Sequence, residues 1–380
     1  MTVATVTDPA TTDAPSAVLA QLDELEARAA VRRVMASYID ACDVEKDPEL
    51  IADHFTPDGI WQGVGKGEEF GRNVGRAAIV EMFTVNPSRQ PWTVHYLTSE
   101  RIDVDCDTAR GRWQCLEASV IRHGRQGVWM GVTYDNDFVR TPDGWRLSHI
   151  RCGEEFITPY DQGWHLEADM QVIDDTVDGP GIPDSLVHRP LEVHDTVPGA
   201  ISGASVTGGS ISGGTVEERL ERLEAERAVR RLMGAHLGSL DAGEGGAAVD
   251  EHFTPDAAWV GLGAYEAVAG PGGRCEGRDA IAELLDERRA AFPERTHHLA
   301  NEWIEVDDGP GSPERAVGRW ICLEPSTAAD GTAWWVGTRF RVECRRTEDG
   351  WRIAELRVRD IVTAPYDGGW LAAGSPGGSA

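Results

Sequence analysis

An internal repeat constrains this chain more than any other feature. His54–Gly65 reads HFTPDGIWQGVG and His252–Gly263 reads HFTPDAAWVGLG, an offset of 198 residues. The same offset carries Ala30–Arg33 (AVRR) onto Ala228–Arg231, and Asp43 onto Asp241. A four-residue insertion then moves the offset to 202, which aligns Gly75 with Gly277 and Thr93–Val104 (TVHYLTSERIDV) with Arg295–Val306 (RTHHLANEWIEV). Gly111–Glu117 (GRWQCLE) returns as Gly318–Glu324 (GRWICLE). Asp143-Gly144-Trp145 and Pro159-Tyr160-Asp161 return as Asp349-Gly350-Trp351 and Pro365-Tyr366-Asp367. Solenoid units run to about 20–50 residues, and each copy here is far longer, so each is a complete domain.

The sequence divides into a disordered leader (1–16), a first domain (17–165), a linker (166–214), a second domain (215–371) and a disordered tail (372–380). Leu166–Asp195 holds eight acidic residues against one arginine, and Gly199–Gly214 holds six glycines and four serines. The second stretch lacks the apolar side chains that would offset the entropy of ordering it. With 380 residues, 41% hydrophobic and 26% charged, the chain has material for two globular cores. A net charge of −28 repels nucleic-acid phosphates and anionic lipid, which argues against nucleic-acid and membrane partners. The seven cysteines are odd in number and form no CxxC pair, so they read as reduced, packed thiols of a cytoplasmic protein.

Within one copy, apolar residues at helical spacing run through Leu22, Leu25, Ala29, Val34, Met35 and Tyr38. Thr215 and Glu218 form a capping box at the start of the equivalent second helix. Pro57-Asp58 and Pro255-Asp256 mark turns into a short strand, and a helix follows over Arg76–Phe83 or Asp279–Ala291. After it the pattern alternates as strands over His95–Val104, Ala109–Ile121, Val128–Arg140 and Trp145–Ile157, with Asp-Gly hairpin signals before Trp145 and Trp351. Helices first and strands after predict an α+β fold: two tandem cone-shaped α+β barrel domains, each a curved antiparallel sheet over about three helices. Such a sheet encloses an apolar cavity, a default site for a small molecule. The two copies are expected to pair through their sheets as an intramolecular pseudo-dimer, with homo-oligomers left open.

Few polar residues persist in both copies. Asp43 and Asp241 end the first helix, and His95 and His297 open the first long strand. A carboxylate beside an imidazole fixes its tautomer and stabilises its protonated form, which suits general acid–base work without metal or nucleotide. Tyr38 is placed to donate a proton to a leaving oxygen, and His236 stands there in the second copy. Glu117, Glu324 and Arg151 are candidate substrate contacts, as are the paired tryptophans Trp61/Trp259, Trp113/Trp320 and Trp129/Trp335, read as core or cavity wall. His54 and His252 read as packing or capping residues. Phosphate-loop, dinucleotide, GxSxG and HExxH motifs are missing from the sequence, so no cofactor and no metal are expected.

These motifs together resemble the SnoaL-like members of the nuclear-transport-factor-2-like superfamily. The stretches RAAVRRVMASYIDACD (Arg28–Asp43) and TVHYLTSERIDV look most like the branch with hexachlorocyclohexane dehydrochlorinase, scytalone dehydratase and bile-acid dehydratase. The resemblance implies an Asp–His pair that abstracts a proton in β-elimination, carried over as Asp43 with His95 and Asp241 with His297. The Tyr38–Asp43 spacing resembles that of the bile-acid enzyme. The implied activity is a cofactor-free dehydratase on a small hydrophobic or polyketide-like substrate, with the first copy the more active. A cyclase or isomerase using the same pair, and a non-catalytic ligand-binding protein, are the competing readings.

Overall fold

The computed structural model describes residues 14–122, 124, 126–161, 214–307 and 311–367. The expected tail, nearly all of the linker and most of the leader lie outside the described residues. The first domain opens with α1 (Ala14–Asp40), which runs on into a π-helical turn at Ala41–Glu45, and α2 (Pro48–Asp53) follows. Asp47 caps α2 by accepting from the Glu49 N–H, and Pro48 sits at its first position, where no N–H is needed. Then come β1 (Phe55–Gly65), β2 (Arg72–Val74), α3 (Arg76–Arg89), β3 (Trp92–Asp105), β4 (Thr108–Ile121), β5 (Gln126–Thr141) and β6 (Gly144–Pro159).

The second domain repeats this order. It has α4 (Val216–Asp241), α5 (Val249–His252), β7 (Phe253–Leu262), β8 (Arg274–Glu276), α6 (Arg278–Ala291), β9 (Glu294–Arg295), β10 (His298–Val306), β11 (Arg315–Thr327), β12 (Ala333–Thr347) and β13 (Gly350–Pro365). The capping box is present, with Thr215 and Glu218 exchanging side-chain and backbone bonds. The sheets run β2-β1-β6-β5-β4-β3 and β10-β11-β12-β13-β7-β8, with β9 pairing β11. Sequence led to an antiparallel sheet, and one pairing in each domain departs from that. β1 lies parallel to β6, and β7 to β13, so the sheets are mixed. The first strand is cut off from the meander by a helix and joins its far edge, where no hairpin dictates an antiparallel partner.

The shared motifs have local causes. Gly75 and Gly277 adopt φ of 83° and 85°, which favours glycine, and the next residue, Arg76 or Arg278, donates to the Phe55 or Phe253 carbonyl. The Gly-Arg pair therefore ties the start of α3 or α6 to the FTPD turn. In GRW, a Cβ on Gly111 or Gly318 would overlap the ring of Trp113 or Trp320, so the ring lies across the glycine. Gly144 and Gly350 supply the positive φ of the Asp-Gly turns.

Each sheet buries its inner face and part of its outer face. The inner face packs on the domain's own helices, around Val34, Met35, Ile79 and Phe138 in the first domain and Val229, Met233, Ile281 and Phe340 in the second. The outer faces meet each other: Trp92, Val94, Val120 and Trp129 pack with Ala300, Ile321, Leu323 and Val362. Trp129 meets its own counterpart Trp335 edge-to-face, with ring centroids 5.5 Å apart. At the rim, Arg32 pairs with Glu100 and its equivalent Arg230 with Glu302, and Arg32 also approaches Glu226 and Glu302 of the other domain. No helix among the described residues is long and apolar enough to cross a membrane, and all seven cysteines are unpaired.

Cutting away one ring of the central pair tests this packing. Trp129→Ala should cost about 3–5 kcal/mol in denaturant unfolding, the range for losing a large buried aromatic. An unchanged midpoint would contradict the face-to-face arrangement of the sheets.

Candidate active site

The inner face of the first sheet and the helices beneath it enclose a cavity of about 780 Å³, counting its open mouth. Its walls are largely apolar, from Trp61, Phe70, Phe83, Met130 and Val132. Polar groups converge at one place. Asp43 sits in the π-helical turn that extends α1, where the wider turn and the left-handed Lys46 (φ 49°) close the helix. Its carboxylate holds one residue twice. Oδ1 lies 2.6 Å from His95 Nδ1, and Oδ2 accepts from the His95 backbone N–H at 3.0 Å. On the other side of the ring, His95 Nε2 lies 3.3 Å from Glu117 Oε2. Gln90 Nε2 and Thr93 Oγ1 donate to Glu117 Oε1.

Strand parity explains the third member. On β4, Trp113, Cys115 and Glu117 face inward while Arg112 and Gln114 face solvent. Asp43 and Glu117 are only 1% and 3% exposed, so the imidazole lies between two carboxylates with little water. Burial alone would push His95 down, but Asp43 and then Glu117 outweigh it and raise the imidazole to about 10. Burial likewise works against the Asp43 carboxylate, and the charge and two hydrogen bonds of His95 hold it below the usual range. The ring thus rests as an imidazolium on the Asp43 carboxylate, with the Glu117 carboxyl group on its other side. Elsewhere in the cavity, burial and Glu117 raise Glu154 to about 7. The Tyr38 phenol is kept neutral by burial and accepts a 2.9 Å bond from Trp61 Nε1.

The second domain repeats the centre. His297 Nδ1 is 2.5 Å from Asp241 Oδ1, and Nε2 is 3.4 Å from Glu324 Oε2. Ser326 donates to Glu324, which, despite burial, is held at about 2 chiefly by His297. His236, in the place of Tyr38, is buried with neither ring nitrogen hydrogen-bonded, and burial takes it down to about 3.

Asp43, His95, Glu117, Tyr38 and Trp61 come together in the first cavity, and Asp241, His297 and Glu324 come together in the second domain. Trp113, Trp259 and Trp320 are packed in the helix-side cores. Trp129 and Trp335 sit in the inter-domain layer, away from either site, because their strand ends face the other sheet. Arg151 is also elsewhere. It alternates with the inward Ile150 and Cys152, so it points outward and donates to Asp137 at 2.8 Å. His54 bonds Leu50 and Ser37, and burial lowers it to about 4, in keeping with a packing role. Lys46, Gln90 and Thr93 line the cavity but escape a search restricted to residues shared by both copies, whereas Glu154, also on the wall, has the acidic counterpart Asp360. Among the described residues no cluster of three His, Cys, Asp or Glu side chains is arranged to hold a metal ion.

The second domain also reaches into the first site. Asn301, left-handed at φ 55°, receives the Leu97 N–H at 2.8 Å and donates to the His95 carbonyl at 2.8 Å. Arg339 pairs with Asp40 one turn before Asp43. The reverse contact has no equivalent, since Gly238 stands in the place of Asp40.

The chain is similar to known proteins in sequence and in fold. The SnoaL-like domain matches the chain twice, at residues 23–151 and 221–357, more than two thirds of its length. An uncharacterised protein of Mycobacterium bovis and one of Mycobacterium tuberculosis are each 33% identical over 125 residues, covering 33% of this chain and 82% of theirs. Among solved structures, a hexachlorocyclohexane dehydrochlorinase from Novosphingobium barchaimii is 22% identical, covering 37% of this chain and 93% of its own, with a TM-score of 0.33. A candidate scytalone dehydratase from Novosphingobium aromaticivorans is 20% identical, covering 42% and 98%, also at 0.33.

The charge state can be read directly. By NMR titration, His95 should stay protonated through neutral pH and lose its proton near 10. An imidazole raised in the folded state stabilises the fold fully below about 6.5 and ceases to do so as pH rises through about 10. Asn301→Gly, which keeps the left-handed backbone without strain, should speed exchange of the His95 Nδ1 proton by about tenfold, as expected for two lost bonds of modest net strength.

Proposed function

From the premise that the chain belongs to the SnoaL-like family and carries that domain twice, we propose that it is a cofactor-free lyase working in its first domain. The observation that carries this reading is a buried imidazolium held between two buried carboxylates in an otherwise apolar cavity. Such a group has a proton to give and a neighbour able to take one. β-Elimination of water needs both: a base for the hydrogen on carbon and an acid for the departing oxygen.

In this scheme a small hydrophobic alcohol with a carbonyl-activated C–H enters the cavity. Glu117 Oε2 accepts the proton from carbon, the C–O bond breaks as the double bond forms, and His95 Nε2 protonates the leaving hydroxide as water. The triad is then left with a neutral imidazole and a protonated Glu117. Transfer of that proton from Glu117 to His95 across the 3.3 Å gap restores the resting state. Asp43 holds the ring in place and supports its charge, while Tyr38 and Glu154 offer neutral O–H donors to the substrate oxygen. This differs from the sequence expectation in one role. The sequence reading has His95 removing the carbon-bound proton; in the scheme proposed here the raised imidazole serves as the acid and Glu117 as the base.

The test is dehydration of β-hydroxy ketones and β-hydroxy thioesters, followed by the absorbance of the conjugated product. Glu117→Gln and His95→Gln should each lower kcat by about 10²–10⁴-fold, the usual contribution of a positioned acid or base. Gln is preferred to Ala at His95, because Ala would leave Asp43 buried without its partner and unfold the site. His297→Gln should cost far less. Full turnover in both first-domain variants would sink the triad, and loss confined to His297→Gln would move the activity to the second domain.

A further inference from the structure

The second domain has exchanged two of the residues that line the first cavity. By the 202-residue offset, Arg288 on α6 stands where Asn86 is, and Arg295 on β9 where Thr93 is. Thr93 donates to the catalytic-centre carboxylate in the first domain, so Arg295 enters the second centre from the same direction. Both arginines are partly buried. Arg288 is held over the Tyr265 ring, 4.8 Å from its centroid, and its Nη2 reaches the Tyr265 hydroxyl at 3.4 Å. Tyr265 itself belongs to this copy alone, since the first copy has Gly67 at that position.

Neither guanidinium forms an ion pair among the described residues, although the chain carries 64 acidic side chains against 36 basic ones. A guanidinium withdrawn from water is costly until an anion meets it. Burial pulls Arg295 below the usual guanidinium range, although Glu324 and Asp241 face it, and Arg288 pushes it the same way. Around this centre stand three cationic groups, Arg288, Arg295 and the His297 ring, against the two carboxylates Asp241 and Glu324. Guanidinium forks match the paired oxygens of carboxylates and phosphates.

We propose that the second domain's site binds a small organic anion, a carboxylate or a phosphate ester, between Arg288 and Arg295 and beside His297. The tandem chain then holds two different ligands: a neutral apolar one in the first domain's cavity and an anionic one at the second domain's arginine-flanked centre. This assignment is independent of which reaction the first domain performs.

The test uses the full chain with isotope-labelled histidine, titrated separately with inorganic phosphate and with succinate. Saturable shifts of the His297 ring resonances by either anion, with His95 unmoved, are the expected result. Tighter saturation by phosphate identifies a phosphate ester as the ligand class, and tighter saturation by succinate identifies a carboxylate. The Arg288→Met/Arg295→Met double variant should bind at least about tenfold more weakly, the loss expected for charge-assisted hydrogen bonds. It should also melt no lower than the parent, because it loses two partly buried cations that form no ion pair among the described residues. Arg295→Gln alone provides the same comparison with a smaller change in packing. No saturable shift with either anion, or equal affinity in the arginine variants, would overturn the proposal.

Discussion

The structure depends on a sheet that must bury both of its faces. β4 shows this along its own length: residues alternate between buried and exposed from Thr108 to Leu116, and from Glu117 to Ile121 every residue is buried. In the first half only the helix side is covered, and in the second half the other domain's sheet lies on the back. A lone copy would leave Trp92, Val94 and Trp129 facing water, an apolar patch that soluble domains cover. Fusion into one chain supplies the covering sheet at a fixed high local concentration. It also allows the two copies to differ, which an assembly of identical subunits does not.

The repeat, the order of elements and the Asp–His pairs were all legible in the sequence, because each rests on a local rule. Helical spacing, the capping box, Asp-Gly turns and the Gly-Arg tie act over a few residues, and two copies give each signal twice. What was not legible is relational. Trp129 and Trp335 look like cavity walls by composition, yet whether a strand end faces its helices or a second sheet depends on the tertiary packing. Arg151 shares its strand with inward-facing residues, but bulges between Gly131 and Val132 and between Asp137 and Phe138 on the pairing with β5 prevent parity from being counted from the turn. The parallel β1–β6 pairing links segments almost a whole domain apart. Internal comparison found the residues the copies share and, by construction, passed over those that distinguish them: Lys46, Gln90 and Thr93 in one, Arg288 and Arg295 in the other.

The Asp43–His95 contact fastens the fold and raises the imidazole with the same atoms. One oxygen receives the strand N–H and the other the ring, so the end of the long helix is fastened to β3 at the position where the imidazole must stand. From the opposite side Asn301 fastens the next stretch of β3 to the second domain. His95 is therefore clamped between its own helix and a neighbour's strand, and its ring has little freedom. Preorganisation of this kind lowers the reorganisation needed when charge moves, which is where enclosed sites gain most over water.

The electrostatic difference between the halves follows from how few positions govern it. Both centres keep the carboxylate–imidazole–carboxylate unit, so the proton-holding core is common. The surroundings set what each can meet. In the first domain, Asn86 and Thr93 are neutral and a carboxyl near its midpoint at neutral pH, Glu154, faces the cavity, which suits an uncharged substrate with a hydroxyl. In the second, two guanidiniums occupy the matching places, and Asp360, the counterpart of Glu154, accepts the Ala264 N–H at 2.8 Å. A lone buried cation or a free carboxyl is costly in an apolar interior, and each is tolerated here on the side where a ligand can relieve it. The duplicated fold thus keeps the carboxylate–imidazole–carboxylate unit in both copies and changes the groups beside it, Asn86 and Thr93 in one, Arg288 and Arg295 in the other.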